Sequence, residues 1–181
     1  MKNTIAIAAL SSFFVFSACK KTETTNPSGE KTEVIQPEKF TVDSVKVEDS
    51  IKLTDSLQLK YSSKLLVFPS IKDGKLLDSI YFANKNINDF SKKGIENLFK
   101  KEKDDFYNSI KKDSKDWISD IKYSQEWYTS SSMDVKSNVN DFMHIQYIWG
   151  SYEGGAHDNY GFNERVFDLK NNKKVDLKDI T

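Results

Sequence analysis

Apolar side chains recur at alternate positions between residues 45 and 67, and this period limits what the segment can form. Most odd positions in it are apolar, while Asp55 and Ser63 interrupt the pattern. A period of two residues is typical of a β-strand with one buried face. We therefore predict two or three strands that end at Pro69, followed by a turn at residues 72–74. The alternating apolar residues are Val45, Val47, Ile51, Leu53, Leu57, Leu59, Tyr61, Leu65 and Val67.

From about residue 77 to residue 121 the apolar residues recur at intervals of three and four. Lysine, aspartate and glutamate fill the intervening positions, which is the pattern of an amphipathic helix. We predict one long helix, or two, weakened near Gly94 because glycine lowers helix propensity. The charges at 100–117 are dense and of mixed sign, so we interpret them as a solvated helix face and not as a binding patch.

Strand patterns return in the last third of the chain. Apolar residues alternate from 121 to 129 and the pattern breaks at 130–134, whereas 142–152 is apolar on both faces, as in a central strand. Asn171 and Asn172 separate two further strand-like segments and predict a hairpin turn, because asparagine tolerates left-handed backbone. This order predicts an α+β fold in which an antiparallel sheet packs against one long amphipathic helix.

The N-terminus combines a cationic residue, a short apolar run and a cysteine. Lys2 precedes an apolar run at residues 5–16, and the small residues of the string SAC end in Cys19. The run is too short for a bilayer, which requires about 20 apolar residues, and it matches the apolar part of a cleaved signal peptide. We therefore predict a bacterial lipoprotein signal peptide at 1–18 and acylation of Cys19. The alternative is an ordinary secretory signal with an incidental cysteine.

Lipidation would determine where the chain resides and how its fold is stabilised. Cys19 is the only cysteine, so an acylated chain has no thiol left for a disulfide and depends on its core. Residues 19–40 are rich in Lys, Thr, Glu, Pro and Ser, which predicts a flexible linker. Lys20 and Lys21 stand where surface-exported lipoproteins carry acidic residues. We therefore expect the periplasmic face of the outer membrane, with the lipid bilayer as partner through acylated Cys19. The 27 basic and 27 acidic residues balance, which gives no support to nucleic-acid binding.

The string YIWGSYEGGAHDNYGFNERVFDL and the following KNNKKVDLKDI hold the most distinctive motif of the chain. Its Gly-Gly-Ala-His turn, Phe-Asp-Leu strand end and Leu-x-Asp segment resemble an extracytoplasmic domain of unknown function. That domain is shared by RsiV-type anti-sigma factors and PdaC-type peptidoglycan deacetylases. Upstream, Phe68-Pro69 and Asn86-Ile87 are similar to its strand end and helix start, so the resemblance covers about Ile51 to Thr181. The matching positions are Tyr152, Gly154, Gly155, Ala156, His157, Phe167, Asp168, Leu169, Leu177 and Asp179.

Two features depart from the family pattern. Asp158 and Asn172 stand where the family has glycine, although both residue types tolerate positive φ. The family domain continues with a helix and further strands, whereas this sequence ends at Thr181, so we expect an incomplete domain. The predicted organisation is a signal peptide (1–18), the lipidated cysteine and linker (19–40), N-terminal strands with the long helix (41–130), and the start of the GGAH-containing domain (131–181).

The resemblance implies a non-catalytic binding module at the cell envelope, and we expect no cofactor. RsiV-type relatives imply recognition of lysozyme, and PdaC-type relatives imply proximity to peptidoglycan. The candidate binding residues surround the turn. They are Tyr147, Trp149, Tyr152, Glu153, Gly154, Gly155, His157 and Tyr160.

His157 beside Asp158, with Glu153 nearby, is the alternative candidate for a metal or acid–base site. On that alternative the protein is a metal-dependent envelope hydrolase or deacetylase. The simpler interpretation is that His157 shapes a tight turn, because the other histidine, His144, lies in a strand-like run and no paired-histidine spacing occurs. A third alternative is a structural lipoprotein of an envelope assembly.

Overall fold

The computed structural model describes residues 40–84, 86–176 and 178, which form one sheet and two α-helices. The predicted signal peptide, Cys19 and the linker up to residue 39 lie outside the described residues, as do Leu177 and Asp179 of the motif. In the described part of the chain, no helix is both long enough and apolar enough to cross a membrane. The elements are β1 (Asp43–Lys52), β2 (Leu57–Val67), α1 (Gly74–Ile80), α2 (Lys92–Asp113), a 3₁₀ turn (Ile118–Asp120), β3 (Gln125–Val139), β4 (Phe142–Tyr152), β5 (Asn159–Asp168) and β6 (Lys173–Val175).

The six described strands lie side by side in sequence order. β2 and β3 run parallel, and the other neighbouring strands are antiparallel. A parallel pair needs a crossover connection, and α1 and α2 lie in that connection. The predicted α+β class is confirmed. The sheet is mixed rather than wholly antiparallel, because an alternating pattern does not report strand direction.

The helical pattern corresponds to two helices that are capped by side chains. Asp73 caps α1, since its Oδ1 accepts a hydrogen bond from the amide of Leu76 at 2.7 Å. The residues predicted as a turn therefore begin a helix. Ser91 caps α2, with its Oγ 3.1 Å from the amide of Gly94. Gly94 lies in the first turn of α2, and the helix is continuous through it. A Cβ atom there would stand 2.1 Å from the carbonyl oxygen of Asp89, so the close approach of the capping segment requires glycine.

Both helices cover the same face of the sheet. Tyr107 and Ile110 of α2 pack with odd-numbered residues of β2 and with Trp127 of β3. At the far side, the hydroxyl of Tyr147 in β4 donates a hydrogen bond to the carbonyl of Ile80 in α1, at 2.8 Å. Successive strand residues point to opposite faces. The even-numbered residues of β4 and β5 therefore point away from the helices, onto what we call the open face.

β3 continues through the serine run at 130–132, where a break in the strand was predicted. Ser130, Ser131 and Ser132 each have a register partner in β2 and another in β4. The prediction was wrong because polar side chains were taken as a loop signal, although backbone pairing on both sides holds this segment in the sheet. The predicted boundary between 130 and 131 also falls inside β3.

The turns that follow depend on residues that tolerate left-handed backbone. Asn140 and Asp141, with φ values of 52° and 65°, join β3 to β4 in the manner of a type I′ hairpin. β4 lies between β3 and β5, which confirms the predicted central strand. Asn172, with φ of 50°, lies between β5 and β6, which confirms the predicted hairpin turn.

Candidate binding site

The Gly-Gly-Ala-His turn connects β4 to β5, and its two glycines have different roles. Gly154 has φ of +86°, and a Cβ atom there would lie 2.4 Å from Cζ2 of the Trp127 ring. At Gly155 the nearest atom to an added Cβ is the carbonyl oxygen of His157, at 3.7 Å, which is an ordinary contact. Gly154 is therefore required by both backbone and packing, whereas Gly155 is not.

The polar groups of the turn mostly bond to one another. The hydroxyl of Tyr152 donates to the carbonyl of Gly155 at 3.1 Å, and Nδ1 of His157 lies 3.2 Å from the carbonyl oxygen of Asp158. The hydroxyl of Tyr128 donates to Oδ2 of Asp158 at 2.9 Å, and this hydrogen bond raises the pKa of Tyr128. The side chains around His157 thus form a local hydrogen-bond network that fixes the shape of the turn.

The described residues contain no cluster of side chains that would support the alternative metal site. Among residues 40–84, 86–176 and 178, no group of three or more His, Cys, Asp or Glu is placed to hold a metal ion. His144 lies on β4, with Nε2 3.4 Å from Oε2 of Glu164 on β5. It therefore pairs across the sheet and does not join His157.

The predicted aromatic contact residues divide between the core and the surface. Tyr147 is buried, and its ring packs edge-on against Phe82 with ring centroids 5.1 Å apart. Trp149 is exposed over 51% of its surface and lies across Gly161, where an added Cβ would stand 2.6 Å from the indole ring. Tyr152 is half-buried, and the predicted residues of the turn, Glu153, Gly154, Gly155 and His157, are exposed.

Tyr160 belongs to a group of apolar side chains that the prediction only partly included. Ile148 of β4 is the register partner of Phe162 in β5, and Tyr160 is opposite Gly150. All three large side chains lie on the open face, with exposed fractions of 45% for Ile148, 79% for Tyr160 and 72% for Phe162. We call Ile148, Tyr160 and Phe162 the open-face patch. The alternation in DNYGFNE was the signal that could have identified Phe162, because a period of two places residues 160 and 162 on one face.

Carboxylates lie at both ends of the open-face patch. Asp158 and Glu164 share the face of Tyr160 and Phe162, since each is two residues from one of them in the chain. Glu164 is held by a hydrogen bond from Nε2 of Gln146, which is 2.9 Å from its Oε1. The apolar surface is therefore bordered by negative charge along β5.

Comparison with known proteins identifies the fold. Among solved structures, the chain is similar to the crystal structure of a DUF3298-family member from Bacteroides fragilis, with a TM-score of 0.55 and 21% identity. The chain has a DUF3298-type fold. A DUF3298-family protein from Pseudomonas aeruginosa is also similar, with a TM-score of 0.41 and 16% identity. No family model and no curated protein matches the sequence.

The alignment covers a larger share of this chain than of either solved structure. The alignment covers 78% of this chain and 60% of the Bacteroides protein, and 77% of this chain and 57% of the Pseudomonas protein. The chain thus spans less than two thirds of the length of these DUF3298-fold structures.

Proposed function

We propose that this protein is a non-catalytic binding module, held at the cell envelope by acylated Cys19, and that the open-face patch is its contact surface. The observation that supports the proposal is the exposure of three adjacent large apolar side chains on a face that neither described helix covers. Contiguous exposed apolar patches on soluble domains commonly mark interaction sites.

The patch has the composition of an interface centre. Aromatic residues bury about 150–250 Å² each when covered, and aromatic anchors dominate the energetics of many protein interfaces. Tyr160 and Phe162 project from one strand of a sheet, so their backbone is already ordered before a partner binds. Binding would therefore order two side chains with few rotatable bonds, which limits the entropic cost.

The charge beside the patch favours a basic protein as partner. Asp158 and Glu164 border the aromatic side chains, and opposite charge across an interface improves association and specificity. Of the two partners implied by the RsiV-type and PdaC-type resemblance, lysozyme is the basic protein and peptidoglycan is the glycan. We therefore take lysozyme as the partner and peptidoglycan as the outcome that the test must distinguish from it.

The experiment titrates lysozyme onto the immobilised full chain and, in parallel, sediments the chain with purified sacculi. The double change Tyr160→Ser and Phe162→Ser should weaken lysozyme binding by about 30-fold or more, because loss of an interface anchor costs about 2 kcal/mol or more. Tyr123→Ser is the matched control, since Tyr123 is an exposed tyrosine outside the patch. It should leave the affinity unchanged.

Three results would contradict the proposal. If the chain sediments with sacculi but does not bind lysozyme, the partner is peptidoglycan and not lysozyme. Loss of dimerisation in the double variant, seen by analytical ultracentrifugation, would show that a second copy covers the patch. Stoichiometric zinc together with hydrolysis of acetylated glycan would support the enzymatic alternative. The anchor is tested separately by Cys19→Ser, which should release the chain from the membrane fraction.

A further inference from the structure

A cleft on the helix-covered face, opposite the open-face patch, has the size and lining of a small-molecule site. Its volume is about 420 Å³, and it lies between α2 and the segment that follows α1. The hydroxyl side chains of Thr129, Ser131 and Ser151 form part of its floor. Ligand sites are commonly concave, with aromatic walls and a few convergent polar groups.

The serine run explains why the cleft exists. Across the sheet, Thr129 is the register partner of both Tyr61 and Ser151. In the next inward-facing row, Ser131 is the partner of Ser63 and Trp149. Small side chains in the middle of both rows leave space between the two helices. On either side of this space, large apolar residues fill the same face of the sheet.

Glu102 of α2 supplies the charge in this cleft. Of the described residues that line it, Glu102 is the one that carries a formal charge. The hydroxyl of Tyr61 donates to its Oε2 at 3.1 Å, and the side chain of Asn84 is a second hydrogen-bond partner. A carboxylate has about four acceptor positions, so others remain. The adjacent Lys101 pairs with Asp105 at 2.5 Å. Burial raises the pKa of Glu102 and outweighs the opposing effects of its hydrogen bonds with Tyr61 and Asn84 and of the nearby Lys101 charge.

Aromatic rings stand beside this carboxylate. Phe106, Tyr61 and Trp149 line the cleft, and Trp149 is half-exposed at its mouth. The faces of aromatic rings attract cations. Carboxylate and rings therefore favour the same sign of charge in a ligand.

We propose that this cleft binds a primary ammonium group, with Glu102 as its counter-ion and the aromatic rings beside its alkyl chain. An ammonium has three hydrogen-bond donors, which the carboxylate and the floor hydroxyls can accept. The ammonium belongs either to a free small amine or to a lysine side chain of a protein. The side chains assigned here lie on the opposite face of the sheet from Tyr160 and Phe162, although Ile148 of the open-face patch also lines the cleft.

The test titrates n-butylammonium chloride into the full chain at pH 7 and follows the indole N–H signal of Trp149 by NMR, with 1-butanol as the neutral probe of similar shape. Butylammonium should shift the signal saturably and butanol should not. Glu102→Gln should weaken binding by about tenfold or more, since hydrogen bonds to charged groups are strong. Glu96→Gln is the matched control, because Glu96 lies on α2, is exposed and does not line the cleft.

Two further measurements identify the source of the ammonium and test whether binding depends on the charge of Glu102. A blocked Ala-Lys-Ala peptide that binds, while its ε-acetylated form does not, identifies a lysine side chain; binding of butylammonium but not of the peptide identifies a free amine. Affinity should fall as the pH is lowered and Glu102 is protonated. The proposal is overturned if butanol binds as tightly as butylammonium, or if folded Glu102→Gln, verified by circular dichroism, binds butylammonium like the parent chain.

Discussion

Replacing Gly154 by alanine should destabilise the fold far more than the same change at Gly155. An L-residue in the left-handed region costs about 1–2 kcal/mol, and Gly154 has φ of +86°. Forcing an extra methyl group into a packed site costs about 1–3 kcal/mol more. The ring it would meet, Trp127, is buried and is held by a hydrogen bond from its Nε1 to Oε1 of Gln125, at 2.8 Å, so it cannot move aside freely. We expect a total loss of about 2–5 kcal/mol in the free energy of unfolding.

Urea unfolding of the full chain, followed by tryptophan fluorescence, measures this loss. Gly155→Ala serves as the control, because its added Cβ meets no atom closer than 3.7 Å. It should change the free energy of unfolding by no more than about 0.5 kcal/mol, as is usual for surface substitutions. Equal effects at the two positions would refute the reasoning, since both changes add the same methyl group to adjacent residues of one turn.

The remaining predictions concern the hydroxyls of two tyrosines and the charge of Glu102. Within the described residues, the Tyr107 hydroxyl is buried without a hydrogen-bond partner, and burial raises the pKa of Tyr107 to about 12. Tyr107→Phe should therefore raise the free energy of unfolding by about 1 kcal/mol, whereas Tyr147→Phe, which removes the bond to Ile80, should lower it by about 1 kcal/mol; equal losses in urea titrations would contradict this. Because burial raises the pKa of Glu102 above its ordinary value of 4.5, the stability due to this group is present below that value and is lost as the pH rises through the folded pKa. Glu102→Gln should gain stability relative to the parent chain as the pH is raised above 4.5, and a difference that does not change with pH would count against a partly buried carboxylate.

Much of the fold could be predicted because its strands and helices bury one face each. The alternation from Val45 to Val67 corresponds to β1 and β2. Asn171 and Asn172 lie in the predicted hairpin turn between β5 and β6. The direction of β3 could not be predicted, because it depends on contacts between segments far apart in the chain and not on local periodicity.

The sites were harder to predict, since exposure depends on what covers a face. Tyr147 and Tyr160 have the same side chain, yet one is buried beneath α1 and the other is exposed on the open face. Glu102 did leave a signal in the sequence: it lies four residues before Phe106 and four after Leu98, within the apolar stripe of the predicted helix. A charged residue within such a stripe is expected to be at least partly covered by the sheet, as Glu102 is.

The parallel pairing of β2 with β3 has a consequence for how the chain acquires its structure. Ser63 and Ser131 meet across this pair although they are 68 residues apart in the chain, whereas β3 and β4 meet across a turn of Asn140 and Asp141. Closing a long loop costs more entropy than closing a short one, and non-local pairings slow folding. We therefore expect the β3–β4–β5 meander to assemble first, and the β1–β2 hairpin to dock onto it last. The cleft above the serine run would then be the final feature to form, because it lies where the β1–β2 hairpin meets the β3–β4–β5 meander.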